Sequence, residues 1–148
     1  MRPTAGRTSC THHALVGRAN EMRSLDAVID LYAEDAVQIM TDGRFEGRTA
    51  IRERLAKDLE ACPTYLHTVR SFVEQGDSFC DEWTFAGTHT GPLTLPDGTV
   101  VPGSVRAVEV AGKEFCRVRD GKLIVDNLYY DNLALAIQID LSQAAAAA

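Results

Sequence analysis

Cysteine pairs with metal-binding or redox spacing are missing from this sequence, and so are long apolar runs. The 148 residues include four cysteines, and none of them forms a C-x-x-C pair, which excludes a zinc ribbon and a thioredoxin-like motif. Cys10, Cys62, Cys80 and Cys116 are expected to be free thiols in a reducing compartment. The apolar runs are too short to cross a membrane, and residues 1–7 lack the apolar stretch of a secretory signal. We therefore expect a cytoplasmic protein without a membrane partner.

An excess of positive charge is also missing. The chain has 15 Lys and Arg against 21 Asp and Glu, a formal net charge of −6. Because the basic residues are dispersed among acids and form no stripe, nucleic acid is not an expected partner. The sequence has no phosphate loop, nucleophile elbow or dinucleotide fingerprint, and its histidines form no recognisable ligand set. We expect neither a cofactor nor a metal.

The length fits a single domain. A chain of this size is expected to bury about 68 to 70% of its unfolded surface, which is enough for a core without disulfide or metal support. No fixed-period repeat or linker divides residues 1–148. The core is expected over about residues 15–141, and residues 142–148, which end in five alanines, are expected to be a frayed tail.

Helical patterns dominate the first part of the chain. A weak pattern is present around residues 14–22. A clearer pattern starts at Ser24, a residue type that caps helix N-termini. Its apolar side chains recur at helical spacing and are Leu25, Val28, Ile29 and Tyr32.

A short strand and another helix follow. The strand is predicted over Ala36 to Met40, and Thr41, Asp42 and Gly43 supply a turn. The helix after it is predicted from an apolar stripe that ends before Pro63. The stripe consists of Ile51, Leu55 and Leu59.

From Tyr65 to Tyr130 the pattern changes to long β segments separated by turn residues. The turn signals are Gly76-Asp77, Gly91-Pro92, Pro96-Asp97-Gly98, Pro102-Gly103 and Asp120-Gly121. Asp131 is expected to cap a last helix over Asn132 to Ile139. Helices followed by a meander of strands predict an α+β fold in which a strongly curved antiparallel sheet wraps around the helices.

Several short motifs also have a familiar order and spacing. They are Leu31 to Val37, Gly47 to Arg52, Gly87 to Gly91, Arg119 to Leu123, Tyr130-Asp131 and Ala136 to Gln138. Together they resemble the SnoaL-like polyketide cyclases of the nuclear transport factor 2-like superfamily, over about Leu15 to Leu141. The resemblance implies an α+β cone with a pocket in its mouth, a homodimer through the outer sheet face, and a small hydrophobic or polycyclic ligand from polyketide-type secondary metabolism.

The catalytic acids of the resembling families are replaced in this sequence. The aspartate of the SnoaL-like cyclases falls on Leu128, and the base of the ketosteroid isomerases falls on Met40. The positions of the limonene epoxide hydrolase triad fall on Trp83, Phe85 and Leu128, which makes that activity the least favoured. These replacements leave open an alternative, that the chain is a non-catalytic binding or dimeric interaction module, because a shared fold does not carry activity with it.

Two carboxyl groups remain as the candidate acid/base pair. Asp126 shares a strand face with Leu128 and Tyr130, and an apolar surrounding would raise its pKa unless it is paired. The alternative is an edge or mouth position in water, because Asp is seldom fully buried without a partner. Glu114 falls where the family has a histidine, on the same strand face as Cys116. The leading hypothesis is a cofactor-independent cyclase or isomerase in which Glu114 and Asp126 transfer protons.

Two further residues are candidates with structural alternatives. His67 is predicted to share an apolar, inward face with Val69 and Val73, where it either orients the substrate or is a satisfied structural residue. Asp42 either faces the mouth of the pocket or makes an Asx-turn before Gly43.

Aromatic and apolar side chains are expected to form the walls of the binding site, although core packing explains them equally well. The expected wall residues are Met40, Tyr65, Trp83, Phe85, His89, Leu128 and Tyr130, with Phe115 as a further aromatic candidate.

Overall fold

The computed structural model describes residues 24–141. The weak helical pattern at 14–22, Cys10 and the expected tail at 142–148 lie outside the described residues. Helix α1 spans Leu25–Ile29, α2 spans Gly47–Ala61 and α3 spans Asn132–Ile139. The strands are β1 (Tyr32–Met40), β2 (Gly43–Glu46), β3 (Leu66–Gln75), β4 (Ser78–His89), β5 (Leu93–Thr94), β6 (Val100–Val101), β7 (Arg106–Arg119) and β8 (Lys122–Tyr130).

Six strands form one large curved sheet in the order β2-β1-β8-β7-β4-β3. Strands β1 and β8 pair in parallel, and the other neighbours pair antiparallel. Helix α2 packs on β1, and α3 packs on β7. Strands β5 and β6 form a separate two-stranded sheet. The predicted α+β class with a curved sheet and a short C-terminal helix is confirmed.

The helix boundaries follow the predicted caps. Ser24 accepts a hydrogen bond from the Ala27 amide at 3.3 Å, and Asp131 accepts one from the Ala134 amide at 2.9 Å. Helix α2 ends at Ala61, two residues before Pro63, and its stripe residue Ile51 is completely buried.

The prediction that Tyr32 continues the first helix is wrong. The Leu123 amide donates a hydrogen bond to the Leu31 carbonyl at 2.8 Å, and Tyr32 is already paired with Leu123 in the sheet. Pairing with a strand far along the chain therefore overrides the local helical spacing, as tertiary contacts commonly do.

Irregularities in two strands change which side chains face inward. In β3, Val69 pairs with Trp83 and Ser71 pairs with Glu82, so Arg70 is an extra residue that reverses the alternation. Val73, predicted to face inward, is therefore 68% exposed.

Strand β8 has a similar irregularity. Val125 pairs with Arg117 and Leu123 pairs with Val118, which leaves Ile124 as the extra residue. Leu123, completely buried, thus takes the core position that was predicted for Ile124.

The core lies between α1, α2 and the concave face of the sheet. Its buried members include Ile29, Ile51, Phe79 and Leu123. Cys62, Cys80 and Cys116 are free thiols, as predicted. Residues 24–141 include no helix with both the length and the apolar character needed to span a membrane.

Candidate active site

The helices and the concave face of the sheet enclose a cavity of about 200 Å³. Most of the side chains that line it are apolar or aromatic. All of the predicted wall residues except Phe115 are among them: Met40, Tyr65, Trp83, Phe85, His89, Leu128 and Tyr130. Phe115 instead contacts Arg117. The Arg117 guanidinium lies 5.9 Å from the centre of the Phe115 ring.

Aromatic rings pack against one another along one wall. Tyr65 and Phe85 stack with their ring centres 4.7 Å apart. The ring centres of His67 and Trp83 are 5.2 Å apart. The Trp83 indole lies over Gly112, where a Cβ atom would be 2.2 Å from the Trp83 Cζ2 atom. Only glycine leaves room for the indole at that position, so Gly112 is required for the shape of this wall.

Carboxyl groups are brought together by the register of neighbouring strands. Asp126 on β8 lies opposite Cys116 on β7 and opposite Gln38 on β1. Glu114, two residues from Cys116, lies on the same face, and it is opposite Leu128. Asp126 is 3% exposed and Glu114 is 8% exposed, and both side chains line the cavity. The predicted acid/base candidates are therefore close to each other inside the cone.

Asp126 is surrounded by hydrogen-bond donors. The Tyr32 hydroxyl donates to its Oδ2 atom at 2.6 Å, and the Gln38 Nε2 atom donates to the same oxygen at 2.9 Å. The Cys116 thiol lies 3.7 Å from Oδ1. Burial raises the pKa of Asp126, whereas these three donors stabilise its carboxylate and oppose the rise.

Glu114 lies near other acids, in contrast to Asp126 with its hydrogen-bond donors. Burial raises the pKa of Glu114 well above its usual range, and the charges of Asp126 and Asp81 and a hydrogen bond with Asp81 raise it further. Within residues 24–141 no ion pair compensates either Glu114 or Asp126. Because Asp126 has three donors and Glu114 has acidic neighbours, ionisation is more favourable at Asp126 than at Glu114.

Tyr32 and Gln38 are candidate site residues that the sequence reasoning missed, and both line the cavity. Burial and the adjacent Asp126 charge raise the pKa of Tyr32 well above its usual range, so its hydroxyl stays protonated as a donor. Tyr32 was missed because its spacing matched the first helix.

Asp81 was also missed, although the sequence contained a signal. It alternates with Phe79 and Trp83 on the inward face of β4, and it is 4% exposed. An acid in the middle of such an apolar alternation is a candidate for a buried functional group.

Asp42 is placed away from the pair. It is not among the described residues that line the cavity, and its Oδ2 atom forms an ion pair with the Arg54 Nε atom at 2.7 Å. Arg54 also binds Asp58, which does line the cavity, at 2.5 Å. Burial raises the pKa of Asp58, and the Arg54 charge opposes the rise. The structure thus brings Asp42 into an ion-pair network with Arg54 and not to Glu114 and Asp126.

The two candidate histidines both line the cavity. Burial lowers the pKa of His67, and a weaker effect of Asp81 opposes the change. His89 is 1% exposed, its Nδ1 atom lies 3.0 Å from the Ser104 Oγ atom, and burial lowers its pKa as well. Both rings are therefore neutral near pH 7, which suits orientation of a ligand better than provision of charge.

Among residues 24–141, one group brings three potential metal ligands together. Ligand atoms of Glu114, Cys116 and Asp126 all lie within 4.8 Å of one another. In the absence of a metal, burial and the neighbouring acids raise the pKa of Cys116 well above its usual range, so its thiol is protonated and can donate a hydrogen bond to Asp126.

A curved sheet packed with helices around an apolar cavity, with acids in its wall, defines a cone-shaped α+β protein with a concave, mostly apolar pocket. The sequence matches the SnoaL-like polyketide cyclase family over residues 13–139, and the chain belongs to that family. No curated protein sequence matches the chain.

Solved structures share the fold at low sequence identity. A candidate SnoaL-like polyketide cyclase from Jannaschia sp. CCS1 has a TM-score of 0.80 at 20% identity, over 94% of this chain and 95% of that chain. IdmH, a candidate polyketide cyclase from Streptomyces antibioticus, has a TM-score of 0.73 at 24% identity, over 90% and 99%. TerC, solved with polyporic acid, has a TM-score of 0.72 at 17% identity, over 91% and 99%. These likenesses establish the fold.

Proposed function

We propose that this chain binds a small, largely apolar molecule in the cavity and catalyses a cyclisation or isomerisation by proton transfer, without a cofactor. The observation that carries the proposal is the contrast between Asp126 and Glu114 in the cavity wall. Asp126 accepts hydrogen bonds from Tyr32 and Gln38, whereas Glu114 lies next to two other acids. Two carboxyl groups whose environments separate their pKa values are suited to opposite roles in acid/base catalysis.

In the proposed reaction Asp126 is the base and Glu114 is the acid. Asp126 removes a proton from a hydroxyl or from a carbon next to a carbonyl group, and Glu114 stabilises the developing oxyanion by hydrogen bonding or protonation. Asp126 gains a proton as Glu114 loses one, so the net charge of the buried cluster is unchanged. This balance matters because an additional unpaired charge in such an apolar site would be costly.

The cavity restricts the size of the ligand. A cavity of about 150 Å³ accommodates benzene, and this cavity measures about 200 Å³. A ligand with one or two fused rings fits this volume better than a tetracyclic one. His67 and the stacked aromatic rings would orient its flat faces. The structure of TerC with polyporic acid supports a small molecule as the kind of ligand.

The proposal is tested in two stages. A thermal-shift screen with aromatic ketones of one, two and three rings identifies ligands, because binding to the folded state raises its apparent stability. Turnover of polyketide-type substrates with matching ring number is then followed for Asp126→Asn and Glu114→Gln. Each variant is expected to lose about 10²- to 10⁴-fold in kcat and to retain ligand binding. Glu74→Gln, an exposed position on β3, is the matched control.

A wild-type rate in the double variant Asp126→Asn/Glu114→Gln would show that the carboxyl pair does not catalyse the reaction. Binding without turnover in every form of the protein would instead support the non-catalytic binding module. The open cavity with two convergent acids is the observation that favours the enzyme over that alternative.

We also propose a homodimer through the outer sheet face. Val73 on β3 and Tyr129 on β8 are large apolar side chains of the sheet that are 68% and 58% exposed. Light scattering coupled to gel filtration gives the mass in solution, and a monomer at micromolar concentration would contradict this prediction.

A further inference from the structure

Asp81 is a buried acid directly beside Glu114 on the neighbouring strand. The two residues are opposite each other in the pairing of β4 with β7, and Asp81 is 4% exposed. Among the described residues Glu114 lines the cavity, whereas Asp81 does not. Glu114 is therefore the member of this pair that a ligand in the cavity can contact.

Asp81 and Glu114 form a directly opposed cross-strand pair, a position in which Cβ atoms lie about 4.5 to 5.5 Å apart, and a side-chain hydrogen bond with Asp81 is one cause of the raised pKa of Glu114. Two carboxylates offer acceptors and no donor, so a hydrogen bond between two carboxyl groups requires at least one proton. The buried Asp126, on the other side of Glu114, disfavours ionisation of the pair still more, because like charges in an apolar site repel strongly. These neighbours favour the protonated form of Glu114.

We propose that Asp81 is a positioning residue that accepts the Glu114 O–H hydrogen bond and so keeps Glu114 protonated and oriented until a ligand oxygen takes the place of Asp81 as acceptor. This inference rests on the proposed function, because it assigns how the acid of that reaction is held ready. In the transfer step the Glu114 O–H bond breaks, the proton moves to the ligand oxygen, and the electron pair stays on the Glu114 carboxylate. Asp126 takes up the substrate proton in the same reaction.

The proposal predicts that two variants of Asp81 lower the pH midpoint of Glu114 by different amounts. Asp81→Leu removes both the neighbouring charge and the acceptor, so the pH midpoint at which Glu114 titrates falls. Asp81→Asn offers an amide donor, which stabilises the Glu114 carboxylate, so the midpoint falls further. A purely structural role of Asp81 predicts no such order.

Carbon-13 NMR of the side-chain carboxyl groups measures the midpoints without a substrate. The Glu114 signal is identified by its loss in Glu114→Gln. We expect a wild-type midpoint above the ordinary value of about 4.3, a decrease of about 0.5 pH units or more in Asp81→Leu, and a larger decrease in Asp81→Asn. Glu74→Gln is the control and should leave the midpoint unchanged. A smaller decrease, or an increase, in Asp81→Leu and Asp81→Asn overturns the proposal.

Wild-type protein decides the question if neither Asp81 variant folds. A carboxyl group that its neighbours hold protonated titrates above its ordinary range. A wild-type Glu114 midpoint at or below the ordinary value of about 4.3 refutes the proposal. Turnover of Glu114→Gln tests the proposed function separately, so the two ideas can fail independently.

Discussion

The hydrogen bond between Tyr32 and Asp126 gives the most direct test of the buried cluster. Tyr32→Phe removes the hydroxyl that donates to Asp126 at 2.6 Å and leaves the ring in the core, where Tyr32 is 4% exposed. The Gln38 donor, 2.9 Å from the same carboxylate oxygen, remains. The substitution also removes the acceptor of a longer hydrogen bond from the Gln38 Nε2 atom, at 3.2 Å, and it changes little of the packing.

The expected loss can be estimated from the type of bond. A hydrogen bond to a charged group contributes about 1.5 to 3 kcal/mol, so Tyr32→Phe should lower the free energy of unfolding by about 2 kcal/mol while Asp126 is ionised. Because one pKa unit corresponds to about 1.4 kcal/mol, the pKa of Asp126 should rise by roughly one to two units. The melting temperature should fall by about 4 to 8 °C for a chain of this size.

The pH dependence of this loss distinguishes the carboxylate contact from general packing. The neutral form of Asp126 gains less from the Tyr32 hydroxyl, so the difference between wild type and variant is largest at high pH. It should shrink as the pH falls through the pKa of Asp126. Urea unfolding of both proteins from pH 4 to pH 8 measures this difference.

The control is Glu74→Gln. Glu74 is an exposed residue of β3, so its substitution should change stability by less than about 0.5 kcal/mol. Equal stability of Tyr32→Phe and wild type at pH 8, or a loss that is the same at every pH, would refute the assignment of Asp126 as a carboxylate held by Tyr32.

Three other substitutions test separate parts of the site. The pKa of Glu114 is raised in the folded state, so the unfolded state loses this proton at a lower pH. The free energy of unfolding of the wild type should therefore decline as the pH rises from about 4.5 toward the raised pKa of Glu114. Urea unfolding of Glu114→Gln should show a flatter dependence, and an unchanged slope contradicts the raised pKa. Gly112→Ala places a Cβ atom against the Trp83 indole and should cost about 1 to 3 kcal/mol, with a change in the fluorescence of this single tryptophan. An unperturbed spectrum would argue against that packing. Arg54→Met leaves Asp42 and Asp58 without their cation and should lower the free energy of unfolding, measured by chemical denaturation, by about 1 to 3 kcal/mol. The loss is smaller than the loss from breaking a fully buried ion pair, because Asp58 is partly exposed. Wild-type stability of this variant would show that the ion pairs contribute little.

The local features of the fold were predictable from short stretches of sequence. Ser24 and Asp131 cap helices because their side chains accept a backbone hydrogen bond within the next turn. Gly76 and Gly121 lie in turns with positive φ angles of 63° and 75°, which glycine adopts readily. Such preferences depend on a few neighbouring residues, so they can be recognised without the rest of the chain.

The candidate site was predictable only in part. The alternation on β8 placed Asp126 inward with Leu128 and Tyr130, and the structure has all three in the cavity wall. The same rule failed for Val73, because the extra residue Arg70 reverses the faces of β3 beyond it. The alternation of apolar and polar residues does not predict a one-residue irregularity in a strand. Such an irregularity nevertheless decides which side chains face the inside of the cone.

The sequence by itself determined the α+β class, the order of the elements, the turns and the presence of acids on predominantly apolar strands. Tertiary structure alone decided which of those acids meet. Gln38 reaches Asp126 across 88 positions of the sequence, and Tyr32 reaches it across 94. Asp81 and Glu114 become neighbours only through the register of β4 against β7. Hydrogen bonding and burial set the protonation of these groups, and both depend on side chains that are close in space and distant in sequence.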